Sequence, residues 1–199
     1  MTQEGHALLI IDVQNDFCPG GALAVPGGDE VVPVINRVIR MFIDHGRPIF
    51  ASRDWHPVMT RHFQGYGGVW PPHCIQGTKG AEFHPGLELP EGTVVISKGM
   101  DPEKDAYSAF DGVSKDGEGL LTLIKRMGIR VLWVCGLATD YCVKNTVLDA
   151  LSHGIGVILI PEGMRSVDLH PGDGERAIQE MVSRGAKILS SSGSLVKTG

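Results

Sequence analysis

Cys142 is the side chain in this sequence best placed to act as a nucleophile. It lies in GLATDYCV, residues 136–143, between two patterned stretches. Residues 131–135 form an apolar run that reads as a buried strand, and residues 143–151 carry apolar side chains at helical spacing. The thiol is therefore expected at the first turn of a helix. Unpaired N–H groups and a partial positive charge there lower a thiol's pKa and favour the nucleophilic thiolate. A thiol also needs a proton acceptor. Asp12 ends the apolar run of residues 7–13, ALLIIDV, and Lys98 follows the run TVVIS at residues 93–97. A carboxylate can serve as the base when burial raises its pKa, and a neighbouring ammonium favours the thiolate. Taken singly, Asp12 reads equally well as a turn residue and Lys98 as a solvated lysine. Perturbed sites are inferred only from such groups acting together.

A second constellation suits a metal. Asp54 and His56 are two residues apart, so in an extended segment they share a face. His62 and His73 lie in the same irregular stretch. Three imidazoles and a carboxylate fit one divalent ion, with Zn²⁺, Fe²⁺ and Mn²⁺ all suited to such ligands. His6, His45, His84, His153 and His170 show no such clustering and read as surface or cap residues. Trp55, Phe63, Tyr66 and Trp70 interleave with the cluster, either as loop packing or as pocket wall.

The elements that must position these groups alternate. Strands are expected at residues 7–13, 48–51, 93–97, 131–135, 156–160 and 186–189. Helices are expected at 29–45, 119–127, 143–151 and 172–184, with Leu120, Leu121 and Ile124 turned inward in the second. The stretch 55–90, rich in Gly, Pro, His and aromatic residues, keeps neither period, and so long a loop usually carries function. The order implies a single-domain, three-layer α/β/α fold over residues 1–199, with a mostly parallel, Rossmann-like six-stranded sheet and a frayed tail from about residue 190. Ligands bind such sheets beyond the carboxyl ends of the strands. Asp12, Asp54, Lys98 and Cys142 each follow a strand, so four separated parts of the chain converge on one edge.

The totals narrow the classes. A chain of 199 residues with 42% hydrophobic and 21% charged residues has the composition of a globular domain. A formal charge of −5 without a Lys/Arg run argues against nucleic-acid binding. No apolar stretch is long enough to cross a membrane, and the first residues lack a signal-peptide pattern, so a cytoplasmic protein is expected. The four cysteines include no CxxC pair and are expected to be free thiols.

IIDVQNDFCPGGALAV, SRDWHP, WPPHCIQGT, VISKG and GLATDYCV together resemble the nicotinamidase branch of the isochorismatase-like cysteine hydrolases. The resemblance runs from about residue 7 to residue 189. It implies a triad of Cys142 as nucleophile, Asp12 as acid/base and Lys98 as third member. It implies metal ligation by Asp54, His56, His62 and His73, and a pocket lined by Phe17, Leu23, Trp70 and Tyr107. A non-proline cis peptide is implied at Leu137–Ala138, with the N–H groups of Ala138 and Cys142 facing an oxyanion. The implied activity is hydrolysis of nicotinamide, and of pyrazinamide-like amides, through a thioester in NAD salvage, by a homo-oligomer. Hydrolysis of another small carboxamide, attack by a metal-bound water, and a non-catalytic binding role are the alternatives.

Overall fold

A computed structural model describes residues 4–189, so the tail expected to fray lies outside the described residues. Six strands form one sheet in the order β3-β2-β1-β4-β5-β6, and every neighbouring pair is parallel. They are β1 (His6–Ile11), β2 (Ile49–Asp54), β3 (Val94–Lys98), β4 (Val131–Leu137), β5 (Gly156–Arg165) and β6 (Lys187–Ile188). The helices are α1 (Val31–Asp44), α2 (Leu120–Arg126), α3 (Lys144–Ser152) and α4 (Asp173–Ser183). The sheet is thus wholly parallel, where the sequence suggested mostly parallel.

β1 shows why both faces must be covered. Leu8 and Ile10 join Val31, Ile35, Ile39 and Phe42 of α1 in one core. Ala7, Leu9 and Ile11 join Leu120 and Ile124 of α2, Val147 of α3 and Met181 of α4 in the other. Alternate residues of a strand point to opposite faces, so a strand apolar at every position is buried on both. In α2 the inward residues are Leu120, Leu123 and Ile124, and Leu121 is only partly buried. This corrects the expected inward set. The helix is two turns long, and Leu123 lies one turn on from Leu120, which brings it onto the same face.

Strand order reverses at β1, which lies between β2 and β4. The crevice beside this reversal is where the carboxyl ends of β1, β2, β3 and β4 deliver their side chains. β4 reaches it through a bulge: its pairing with β5 shifts between Val134 and Gly136. Gly136 has φ of 117°, and a Cβ there would stand 2.1 Å from the Ile11 carbonyl oxygen. Only glycine lets β4 pass so close to β1 at this point. No helix among the described residues is long and apolar enough to cross a membrane.

Candidate active site

The end of β1 places Asp12 in a left-handed backbone conformation, φ 48°, with its carboxylate fully buried. Its Oδ1 accepts a hydrogen bond from Ser52 Oγ at 2.7 Å. Its Oδ2 lies 2.9 Å from Lys98 Nζ as an ion pair and has no aligned hydrogen-bond partner. Lys98 is paired in register with Asp54 across β2 and β3 and is itself fully buried. Its ammonium meets Asp54 Oδ1, the Ala106 carbonyl at 3.1 Å and Cys142 Sγ at 3.4 Å. A carboxylate oxygen from each of Asp12 and Asp54 and the Cys142 sulfur all lie within 4.8 Å of one another. The three residues expected to form a triad therefore meet around one ammonium.

The charges decide the resting protonation. Burial pushes the Asp12 carboxyl up, and the Lys98 charge and the Ser52 hydroxyl only partly offset this. Burial acts the same way on Asp54, but Lys98 with His56 and His73 carries it well below the usual carboxylate range. Burial alone would lower Lys98, and the two carboxylates hold it well above an ordinary lysine. Burial pushes the Cys142 thiol well up; Lys98 opposes this and the carboxylates reinforce it. This differs from the expected low thiol pKa. A partial helix charge cannot outweigh desolvation plus two carboxylates against one ammonium. Burial therefore disfavours a free thiolate, and the thiol proton needs a base to accept it. Ser52→Ala removes the bond that favours ionised Asp12. The acid limb of kcat/KM against pH is expected to move up by roughly one pH unit, as for a lost hydrogen bond to a charged group. A pH–rate profile that stays put or moves down would contradict this assignment.

Cys142 lies not in an α-helical first turn but in a single π-helical turn, Thr139–Val143, which leads into α3. The Leu137–Ala138 peptide is cis. The Ala138 carbonyl accepts from the N–H groups of Tyr141 and Val143, 3.1 Å each, so it is committed within the turn. Asp140 accepts from the N–H groups of Val167 and Asp168 at 3.0 and 2.9 Å. These bonds fix the chain after β5 beside the nucleophile.

The histidine cluster sits on the other side of the crevice. The ring atoms of His56, His62 and His73 that could bind a metal lie within 4.8 Å of one another. Each ring's Nδ1 has an oxygen partner: Gly99 O at 3.0 Å for His56, an Asp105 carboxylate oxygen for His62, and Pro71 O at 2.7 Å for His73. Nδ1–H donation fixes the tautomer and leaves Nε2 as a ligand lone pair. His56 Nε2 is buried with no hydrogen-bond partner. Asp54 Oδ2 stands 3.6 Å from His56 Nε2 and 3.8 Å from His73 Nε2. An orphaned buried nitrogen beside two further imidazoles and a carboxylate is a donor set that fits a divalent ion. The DVQNDF run holds this set in place. Gln14 Nε2 donates to Asp54 O at 2.8 Å, and its Oε1 accepts the Asp54 N–H at 2.8 Å. Asp16 accepts the Cys74 N–H at 2.7 Å, next to His73.

Phe17, Leu23, Trp70, Tyr107 and Ala138 line one cavity together with Asp54, His62, His73 and Cys142. Val25, Ala106, Tyr141 and Val167 also line it and were missed. Of these only Tyr141 carried a signal, its place beside Cys142. Trp70 Nε1 donates to Tyr107 OH at 2.9 Å, and Trp70 meets Tyr141 edge to face at 5.0 Å between centroids. The cavity is therefore walled by aromatic rings and is shared by the Cys142 thiol and the imidazoles of His62 and His73. The remaining thiols are buried; burial pushes Cys18 up to about 11 and Cys74 well above the ordinary thiol value.

Fold and site together define a hydrolase built on a Rossmann-like α/β/α sheet, its reactive groups gathered at the strand-order reversal. Residues 6–192 match the isochorismatase domain, and the chain belongs to that family. It is 43% identical to the nicotinamidase of Escherichia coli K12, over 92% of this chain and 93% of the relative. Among solved structures it is similar to the pyrazinamidase of Pyrococcus horikoshii in complex with zinc, at 46% identity and TM-score 0.86, covering 94% of this chain and 99% of that one. It is also similar to PnC1 of L. infantum in complex with nicotinate, at 35% identity and TM-score 0.83, covering 96% and 94%.

Proposed function

We propose that this chain hydrolyses nicotinamide to nicotinate and ammonia, with Cys142 as nucleophile, Asp12 as acid/base and Lys98 as the charge that holds both. The observation that carries this is one aromatic-lined cavity shared by Cys142, His62 and His73, with the His56 ring converging on the latter two. The likeness to nicotinamidases over almost the whole chain supports it. Asp54, His56, His62 and His73 would hold one divalent ion, Zn²⁺, Fe²⁺ or Mn²⁺, which when bound supplies a Lewis-acid anchor for the pyridine nitrogen.

The chain's own residues supply the rest. Asp12 takes the thiol proton, and Lys98 stabilises the thiolate. Sulfur attacks the carboxamide carbon, and the carbonyl electron pair moves onto oxygen, toward the N–H groups of Ala138 and Cys142. Asp12 returns the proton to the amide nitrogen, the C–N bond breaks, and ammonia leaves a thioester. Asp12 then takes a proton from water, whose oxygen displaces sulfur; Asp12 passes that proton to the departing sulfur, restoring the thiol, and the acid product loses its proton to solvent as nicotinate. Phe17, Leu23, Trp70 and Tyr107 line the cavity that would receive the ring. Pyrazinamide-like amides, which keep a ring nitrogen in the corresponding position, fit the same slot. The resemblance extends the reading to NAD salvage in the cytoplasm by a homo-oligomer.

Ammonia release from nicotinamide, with metal analysis of the same sample, tests the proposal. Release from another small carboxamide but none from nicotinamide would overturn the substrate. His56→Ala is expected to strip the metal and lower kcat/KM by roughly 10²-fold, mostly through KM, as a ring loses its alignment. A metal content equal to wild type would contradict the ligand assignment.

A further inference from the structure

The irregular segment 99–107, which follows β3, meets the site at three points. Gly99 O holds His56, Ala106 O holds Lys98, and Tyr107 OH receives Trp70. The same segment is laced to residues 60–62 in order. Pro102 O accepts from the Arg61 N–H at 2.8 Å and from Thr60 Oγ1 at 3.3 Å, and Glu103 pairs with Arg61 at 3.2 Å. Asp105 completes the lacing by accepting from His62 Nδ1.

Asp105 is the unusual member. Its side chain is 59% exposed while its partner His62 is 5% exposed. The other two rings of the cluster are held by backbone carbonyls, which no substitution can remove. His62 alone has its Nδ1 held by a charged side chain. A carboxylate on Nδ1–H fixes which nitrogen faces the ligand site, fixes the ring's orientation and strengthens Nε2 as a donor. Exposed ion pairs elsewhere contribute little to stability, so a carboxylate in this position acts on its ring rather than on the fold.

We infer that Asp105 is a positioning residue for the metal site: through His62 Nδ1 it sets ring orientation and metal affinity, and it fastens the 99–107 strap that carries Tyr107 onto the pocket wall. The inference rests on the metal-site reading above but not on the identity of the amide. Two consequences are separable. Metal affinity depends on Asp105 only while His62 is present. KM for the amide depends on Asp105 through Tyr107, while kcat depends on it less, because Asp12 is held by Ser52 and Cys142 lies in the turn that Asp140 anchors to Val167.

The test titrates the metal-depleted full chain with Zn²⁺ against a chromophoric chelator and follows its thermal unfolding. Asp105→Ala is expected to weaken Zn²⁺ binding roughly 10–100-fold, the usual cost of losing such a partner, with the unfolding midpoint of the metal-free protein unchanged. Asp105→Asn keeps an acceptor without the charge and should fall between. In a His62→Ala background Asp105→Ala should add nothing, since coupled residues are non-additive. Equal Zn²⁺ affinity for Asp105→Ala and wild type overturns the inference. So does a loss of the same size in the His62→Ala background, or a lowered unfolding midpoint with that loss, because each marks an effect on the fold that does not pass through the His62 ring. Wild type that binds no Zn²⁺ overturns both this and the metal site. Wild type that binds Zn²⁺ but leaves nicotinamide intact overturns only the substrate.

Discussion

Cys142→Ala is expected to reduce ammonia release from nicotinamide on the order of 10⁴–10⁶-fold, the range seen when a triad nucleophile or its base is lost. The variant should keep its metal. Sγ is the only polar atom that the substitution removes, and His56, His62, His73 and Asp54 are positioned by Gly99, Asp105, Pro71 and Gln14, none of which contacts that sulfur. The fold should tolerate the change, because Ala fills most of the volume of a small side chain held in a π turn by backbone bonds and by Asp140. A coupled ammonia assay and metal analysis on the same preparation give both numbers. Near-normal turnover would exclude a covalent route and leave attack by a metal-activated water as the better reading. Loss of both activity and metal would mean that the two halves of the site are not separable as described.

Lys98→Met is expected to have the largest effect on stability. The ammonium is fully buried and serves two buried carboxylates and a thiol at once. Removing one partner of a buried pair typically costs about 3–5 kcal/mol, because the other charge is left uncompensated. Here two charges are left, so the upper end of that range is expected for the metal-free protein near neutrality. The sign with pH follows from the directions of the shifts. Lys98 is held above its ordinary value, so its stabilising contribution is complete below about 10.4 and is lost only as pH rises through its higher folded value. Asp12 is already raised, so on acidification it is the first of the pair to take a proton and relieve the variant. Denaturant unfolding in the presence of chelator should therefore show a smaller deficit at mildly acid pH than at neutral pH. A deficit below about 1 kcal/mol at neutrality, the size of an exposed pair, would show that water reaches the cluster.

The parts of the site that rest on strand ends were legible in the sequence, because a continuous apolar run states both a strand and its direction. Asp12, Asp54 and Lys98 follow such runs, and one rule about parallel sheets collects them. The cysteine's position was legible too, but its electrostatics were not. A helix terminus is visible in sequence, whereas the burial that outweighs it depends on three other strands closing around the thiol. The histidine ligands were legible from their residue types and clustering rather than from any period in segment 55–90, and Tyr107 came from resemblance alone. Asp105 had no signal at all. An aspartate in an acidic loop looks solvated until a second loop brings an imidazole to it. Val25 and Val167 line the slot for the same reason, contributed by loops that only packing places there. Leu121 was taken as inward over Leu123 because a two-turn helix gives too few residues to fix its phase.

Gln14 grips the Asp54 peptide at both its N–H and its carbonyl, and it stands two residues beyond Asp12. Thermal motion of the β1 end is therefore transmitted to the β2 end, and the bond-breaking and ring-holding halves of the crevice travel together. The distance between the attacking sulfur's base and the anchored ring would hardly vary as the sheet breathes. Amide exchange at Asp54 should accordingly be among the slowest outside the strand interiors, and Gln14→Ala should accelerate it before it changes anything in the mean structure.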